Sequence, residues 1–129
     1  MDTTQVRLVL LVAAGGAFGS VVRYGVAGLL DRANFPWGTF AINLTGTFLL
    51  AALYFSFLGR GGLDPGARTF LFIGVFGGYT TFSTFGLETV LLLRSGSPIL
   101  ALLNVGLNAG VCLLGAFLGA AVGLLLGGA

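Results

Sequence analysis

The sequence predicts an all-α membrane protein, a single transmembrane domain over residues 1–129 that contains four helices. Hydrophobic residues make up 57% of the chain and charged residues only 8%, and the mean hydropathy is +1.05. Six cations and four anions cannot give a soluble domain of this size a polar surface. Four apolar stretches each match the roughly 20 residues that a helix needs to cross a bilayer.

The four spans differ in the charge that they carry. The first contains Arg23 and the third contains Glu88, whereas the second and fourth contain no charge. We expect the first span to be retained, because its apolar stretch is too long for the core of a signal peptide. The predicted helices cover about residues 8–30, 37–58, 69–93 and 99–126.

The connections between the spans are too short to hold a soluble domain. Pro36 and Pro98 stand immediately before the second and fourth spans, where proline suits the first turn of a helix. A glycine-rich loop at residues 59–66 joins the second and third spans. We therefore expect the function to lie within the membrane.

The arginines give almost no signal for orientation. Positive residues usually collect on the cytoplasmic side of a membrane protein, but here they are split nearly evenly. The N-terminal side of the membrane holds Arg7, Arg60 and Arg68, and the other side holds Arg32 and Arg94. Arg23 lies within the first span, in the half of the helix that is nearer to Arg32 and Arg94. This balance predicts dual topology and an antiparallel homodimer about a two-fold axis in the membrane plane. The alternative is a weak bias that a partner or an insertase resolves.

Two polar stripes run along the second and fourth spans. Thr39 and Asn43 are four residues apart in the second span, and so are Asn104 and Asn108 in the fourth. Residues at this spacing share one face of a helix. A single asparagine in a span often serves only to join helices. Three asparagines on two stripes favour a polar track that an ion could use.

The third span contains the highest density of polar residues. Gly77 and Gly78 are followed by four hydroxyl residues within five positions, which are Thr80, Thr81, Ser83 and Thr84. Such a segment is poor material for a continuous helix, so we predict a break near the middle of the membrane. Backbone that is not helical survives at this depth only where protein or a bound ion satisfies it. Carbonyl groups that meet across a two-fold axis would form a cation site.

Two phenylalanines follow the predicted break. Phe82 and Phe85 are three residues apart and share a helix face. An aromatic ring is positive at its edge, so ring edges can line an anion path without trapping the ion by a full charge. Asn43 can supply the N–H donor that a small anion also needs. The alternative is that both rings only pack against protein or lipid.

These residues together resemble the CrcB/Fluc family of fluoride channels. The resemblance covers nearly the whole chain in order, and its most specific part is the run from Gly77 to Phe85. The matching segments are GGAFG at 15–19 with Arg23-Tyr24, PWGT at 36–39 with NLTG at 43–46, and GGYTTFSTF at 77–85 with Glu88.

The resemblance implies an antiparallel homodimer in the lipid of a bacterial inner membrane, with two fluoride pores. Phe82 and Phe85 would form an aromatic box, and Asn43 would donate to the ion. The carbonyl groups of Gly77 and Thr80 from both subunits would hold a structural Na⁺ at the dimer axis.

The remaining candidate residues complete the pore and its entrance. Arg23 would lie toward a vestibule at the entrance of the pore, and Glu88 is assigned to the same vestibule. Asn104 and Asn108 fall where the family usually has a tyrosine and a serine or threonine. Besides the phenylalanines and Asn43, the candidate pore residues are Thr39, Thr81, Ser83, Thr84, Asn104 and Asn108.

The function expected from these features is passive, fluoride-selective export that protects against fluoride toxicity. A small dual-topology drug exporter is the alternative, but it would need a carboxylate deep in the first span, where Arg23 stands. A non-transporting assembly protein would not need ordered polar stripes. An enzyme is not expected, since the chain has no histidine and one cysteine, and a net charge of +2 does not suggest nucleic acid binding.

Overall fold

The structure, a computed structural model, describes residues 2–30, 34–58 and 61–128. Four helices in these ranges are long and apolar enough to cross a membrane, as predicted. Arg32 and Arg60, which entered the orientation count, lie outside the described residues. Helix α1 is Thr3–Leu30, α2 is Trp37–Leu58, the third span is Pro65–Arg94 and the fourth, called α5, is Pro98–Gly127.

The third span is two helices joined by extended backbone. Its first half, α3, covers residues 65–79 and consists of Pro65–Arg68, a π-helical segment Thr69–Val75, and Phe76–Tyr79. Its second half, α4, is Phe82–Arg94. The predicted break is therefore present. It lies at Thr80 and Thr81 and not at the glycine pair, which remains helical.

The third span begins four residues before the predicted start at Thr69, because Asp64 caps it. Asp64 Oδ1 accepts hydrogen bonds from the N–H groups of Gly66 at 2.9 Å and Ala67 at 3.2 Å. Pro65 occupies the first helical position, where its missing N–H costs nothing. The first span likewise begins early, at Thr3, because Asp2 Oδ1 accepts the N–H of Gln5 at 2.7 Å.

Glycines let the helix backbones touch along two seams. In the α1–α3 seam, a Cβ atom added to Gly15 would lie 2.5 Å from the carbonyl oxygen of Phe70, and one added to Gly78 would lie 2.5 Å from that of Gly16. In the α2–α5 seam, Gly119 and Gly123 face the carbonyl groups of Phe48 and Ala52. Such close approach is what packs helices in lipid. Two further glycines extend the seams. Gly19 lies against Val75 in the α1–α3 seam, and Gly115 lies against Leu44 in the α2–α5 seam.

A second π-helical segment lies within α5, at Gly106–Val111. It follows the α-helical turn that holds Asn104 and contains Asn108. Insertions of this kind often occur at functional sites, because they turn side chains away from the regular helical spacing. The segment faces α2 and the break in the third span, so it positions the site described next.

Candidate functional site

Asn43 bridges the break in the third span. Thr80 and Thr81 are extended there, with φ/ψ of −79°/157° and −150°/115°. Asn43 Oδ1 accepts the N–H of Thr81 at 2.9 Å, and Asn43 Nδ2 donates to the carbonyl oxygen of Thr81 at 3.0 Å. The side-chain amide thus replaces the helical acceptor that the N–H of Thr81 lost and adds a donor to the carbonyl oxygen of Thr81, which is how interrupted backbone becomes tolerable at this depth.

The break also releases the two carbonyl groups that were predicted to face a cation. In an unbroken helix the N–H of Thr81 would bind the carbonyl group of Gly77, and that of Thr84 would bind the carbonyl group of Thr80. Instead, Thr81 N–H donates to Asn43, and Thr84 N–H donates to Thr81 Oγ1 at 3.3 Å. Gly77 is exposed and Thr80 is half-buried. These freed carbonyl oxygens are of the type that coordinates alkali cations in selectivity filters, so the residues fit a Na⁺ site.

The two predicted polar stripes meet in a continuous chain of amides. Asn43 Nδ2 donates to Asn108 Oδ1 at 2.8 Å, and Asn108 Nδ2 donates to Asn104 Oδ1 at 2.9 Å. Asn104 Nδ2 then donates to Thr89 Oγ1 at 3.0 Å. The side chain of Asn104 is fully buried, at 0% exposure. The amides therefore connect α2, α5 and α4 around the break.

The hydroxyl cluster after the break caps α4. Thr81 is buried, and its Oγ1 donates to Thr84 Oγ1 at 2.9 Å while accepting the N–H of Thr84. Ser83 Oγ lies 3.5 Å from Thr81 Oγ1. Ser83 and Thr84 are exposed on the surface of the chain, although they belong to a membrane span.

Phe82 and Phe85 form an edge-on pair with contrasting burial. Their ring centroids are 5.3 Å apart, and the ring planes are inclined by 65°. Phe85 is 8% exposed, whereas Phe82 is 82% exposed. The pair therefore reaches from the core of the chain to its surface, with the positive edge of one ring directed toward the other.

A cavity of about 230 Å³ lies beside the break. It brings together five of the predicted pore residues, and its lining does not include Thr39, Ser83, Thr84 or Asn104. Thr47 and Cys112, which continue the two polar stripes four residues after Asn43 and Asn108, line it as well. The lining consists of Asn43, Thr47, Thr80, Thr81, Phe82, Phe85, Asn108, Ala109 and Cys112.

A second cavity, of about 430 Å³, contains the predicted vestibule residues. Arg23 and Glu88 both line it, and Thr39 Oγ1 donates to Glu88 Oε1 at 2.7 Å. Thr39 is buried while Arg23 and Glu88 are half-buried. Thr81 lines this cavity and also the one beside the break, so one residue of the break separates the charged cavity from the amide- and ring-lined one.

Comparison with known proteins gives consistent matches over most of the chain. A family model described as "CrcB-like protein, Camphor Resistance (CrcB)" matches residues 10–120. A protein of Rhizobium meliloti is 44% identical over 117 residues, 88% of this chain and 94% of that protein. One of Magnetococcus marinus is 44% identical over 119 residues, covering 89% and 96%, and one of Rhodospirillum rubrum is 45% identical over 116 residues, covering 85% and 89%. Each is named "Fluoride-specific ion channel FluC".

Proposed function

This chain belongs to the CrcB-like family, and from that premise we propose that it is a fluoride-selective channel that releases fluoride from the cytoplasm passively. The observation that carries the proposal is the cavity beside the break. There the amide of Asn43 and the edge-on pair of Phe82 and Phe85 lie together. Amide donors and ring edges attract an anion without a full charge that would hold it in place.

Selectivity follows from the chemistry of this lining. An anion leaves its water shell on entry and recovers only what the lining offers. Fluoride is small and a strong hydrogen-bond acceptor, so a few N–H donors compensate a large part of its lost hydration. Chloride is larger and a weaker acceptor, so the same donors compensate it poorly.

A second, antiparallel copy would complete the site. Phe82, Ser83 and Thr84 are exposed in the middle part of the third span, where hydroxyl groups facing lipid are unfavourable. A partner related by a two-fold axis in the membrane plane would cover these residues and add its own to the same path. The nearly even distribution of arginines supports the dual topology that such a pair requires.

The same axis would carry a structural Na⁺. The break deprives the carbonyl groups of Gly77 and Thr80 of their helical donors, and Gly77 is exposed. Two copies would supply two pairs of such oxygens. The ion would stabilise the junction between subunits and would take no part in conduction.

The direction of transport follows from acid–base chemistry and the membrane potential. Hydrogen fluoride is neutral, crosses lipid, and dissociates in a less acidic cytoplasm, which traps fluoride inside. A negative-inside potential drives the anion out by about 2.3 kcal/mol per charge per 100 mV. A passive pore in the bacterial inner membrane therefore suffices to lower cytoplasmic fluoride.

The alternative of a small drug exporter is not supported. The relatives are named as ion channels, a class that does not comprise enzymes or exporters. Such an exporter would also need a carboxylate deep in the first span, and α1 contains arginine but no aspartate or glutamate.

Fluoride efflux from liposomes that contain only this protein tests the proposal. A fluoride electrode would record release after a potassium ionophore is added, which lets K⁺ leave with the anion so that no opposing membrane potential develops. Matched liposomes loaded with chloride serve as the comparison. We expect rapid fluoride release and negligible chloride release. Release that is equal for the two ions, or no faster than from protein-free liposomes, would contradict the proposed function.

A further inference from the structure

Tyr79, the last helical residue before the break, is tied to α2 by a hydrogen bond. Its Oη lies 2.9 Å from Thr45 Oγ1. A threonine hydroxyl group has one hydrogen to donate, and Thr45 Oγ1 donates it to the carbonyl oxygen of Ala41 at 2.7 Å. Tyr79 is therefore the donor and Thr45 the acceptor. This bond holds the end of α3 against the same helix that carries Asn43.

The bond acts on the short stretch that carries the two proposed cation ligands. Tyr79 stands between Gly77 and Thr80, whose carbonyl groups lost their helical donors at the break. The last helical bond of α3 runs from the N–H of Thr80 to the carbonyl oxygen of Phe76 at 3.0 Å, and Thr80 Oγ1 donates to the same oxygen at 2.9 Å. The backbone is thus regular up to Thr80, so the position of its final turn depends on contacts with the neighbouring helices.

Those neighbouring helices approach the final turn through glycine. A Cβ atom added to Gly46 of α2 would meet the methyl group of Thr80 and lie 3.2 Å from the ring of Tyr79. On the other side, Gly78 packs against Gly16 of α1. These are van der Waals contacts, whereas the bond from the Tyr79 hydroxyl group is directional. The bond therefore sets the position of this turn along α2.

We propose that Tyr79 and Thr45 are positioning residues that keep the carbonyl groups of Gly77 and Thr80 arranged for Na⁺ while the site is empty. The inference rests on the cation site of the proposed function. Without an ion, the carbonyl oxygens of two copies repel one another across the axis. The bond to Thr45 resists their separation, so the ion enters a site that is already ordered and binds more tightly.

The bond changes the affinity for Na⁺ only through the empty site. It is formed both with and without the ion in the unaltered protein, so its own free energy cancels from binding. When the bond is removed, the empty site relaxes, and the ion must draw the carbonyl groups back together. The loss of affinity cannot exceed the free energy of one hydrogen bond, since a stronger repulsion would break the bond in the unaltered protein too.

Equilibrium dialysis with radioactive Na⁺, on protein purified in detergent and choline chloride, measures this affinity directly. We expect two chains to share a Na⁺. Tyr79→Phe removes the hydroxyl group and keeps the ring, and Thr45→Val removes the acceptor on the other helix. Each should raise the dissociation constant by about three- to fivefold, the equivalent of roughly 1 kcal/mol at most. The double variant should raise it no further, because both changes remove the same bond.

Two further variants separate this bond from the loss of a hydroxyl group as such. Thr45→Ser keeps the acceptor, so its dissociation constant should equal that of the unaltered protein. Tyr54→Phe removes a hydroxyl group from a tyrosine that packs beside Phe72 and Arg68 and does not line the cavity beside the break. It should also leave the dissociation constant unchanged.

A purely structural role for the bond would lower the thermal stability of Tyr79→Phe at an unchanged dissociation constant for Na⁺, and that result would overturn the inference. An increase of the same size in Thr45→Ser or Tyr54→Phe would overturn it as well. If one single variant fails to assemble, the other decides, because the two act on the bond from opposite helices.

The outcome for the unaltered protein separates this inference from the proposed function. If it binds no Na⁺, the cation site is wrong and the inference fails with it, while fluoride conduction is judged independently by release from liposomes. If it binds Na⁺ but releases no fluoride, the proposed conduction alone is refuted.

Discussion

The α1–α3 seam and the amide cluster around the break hold helices together in opposite ways. The seam has no side chains at its closest points, since glycines in α1 lie directly against the backbone of α3. The cluster depends on side chains, with Asn43, Asn108 and Asn104 bonded in sequence and Asn43 also bonded to the backbone of Thr81. The seam leaves no room for an ion, whereas the cluster borders a cavity of about 230 Å³.

This difference shows how a small bundle separates stability from transport. Apolar helices gain little from contact in lipid, so close packing at the seams supplies most of the attraction. The bundle can then accept a broken span elsewhere, provided that side chains satisfy the exposed backbone groups. Substitutions in the seam should therefore affect assembly first, and substitutions in the cluster should affect transport first.

The largest loss of stability is expected for Gly19→Val. A Cβ atom at this position would meet the carbonyl group of Val75 and lie 2.9 Å from the backbone nitrogen of Tyr79, so α1 must move away from α3. Overpacking against rigid backbone should cost about 3 kcal/mol or more. Gly25→Val is the control in the same helix, because nothing lies within 4 Å of a Cβ atom there. Thermal unfolding in detergent measures both, and equal stability of the two variants would contradict the packing role of the seam.

A smaller loss of stability but a complete loss of transport is expected for Asn43→Asp. The carboxylate can still accept the N–H of Thr81, but it cannot donate to the carbonyl oxygen of Thr81 or to Asn108. Two oxygens then face a negative charge, which should destabilise the protein by about 2 kcal/mol. The same charge repels an anion in the cavity, so fluoride release should stop.

The control for this variant is Asn34→Asp, which introduces the same charge at an exposed position before α2. It should assemble and conduct normally. Fluoride release at the normal rate from Asn43→Asp liposomes would show that the amide donor of Asn43 is not needed, and the comparison between seam and cluster would then lose its basis.

The sequence predicted which segments form the spans and the break better than it predicted which residues contact one another. Length and hydropathy are sufficient to identify four spans, because a helix must be about 20 residues long to cross lipid. The break was also predicted, from the glycine pair together with the hydroxyl residues that follow it, but the glycines themselves remain helical. Gly78 instead serves the α1–α3 seam, since a Cβ atom there would lie 2.5 Å from the carbonyl oxygen of Gly16. The extended residues are Thr80 and Thr81, and Asn43 supplies the hydrogen-bond partner of Thr81 from another helix.

Contacts of this kind cannot be predicted from periodicity. The stripes placed Asn104 and Asn108 on one face, but the π-helical segment at Gly106–Val111 changes the spacing within α5. Its composition of glycine, alanine, apolar residues and one asparagine does not distinguish it from the α-helix around it, which contains Asn104 and further glycines. Which asparagine is buried and which lines the cavity therefore depends on tertiary packing, which is also why the occupied state of the Asn43 donor was not expected.

The smallest effects on stability, with a marked effect on transport, are expected for Phe82→Ile and Phe85→Ile. Isoleucine keeps each position apolar and removes the ring edge. Phe85 is 8% exposed, so its replacement should cost about 1 to 2 kcal/mol as an imperfect core substitution. Phe82 is 82% exposed, so its replacement should hardly change the stability of the single chain.

Transport by the two variants distinguishes a role in the pore from simple packing. If ring edges contact fluoride, release should fall by about tenfold or more in both variants, the equivalent of losing roughly 1.4 kcal/mol of stabilisation along the path. An unchanged size-exclusion profile provides the assembly control. If the rings only pack, the loss should follow burial, and Phe82→Ile should conduct at the normal rate. Full fluoride release from assembled Phe82→Ile would therefore remove that ring from the pore and restrict the anion path to the amide side of the cavity.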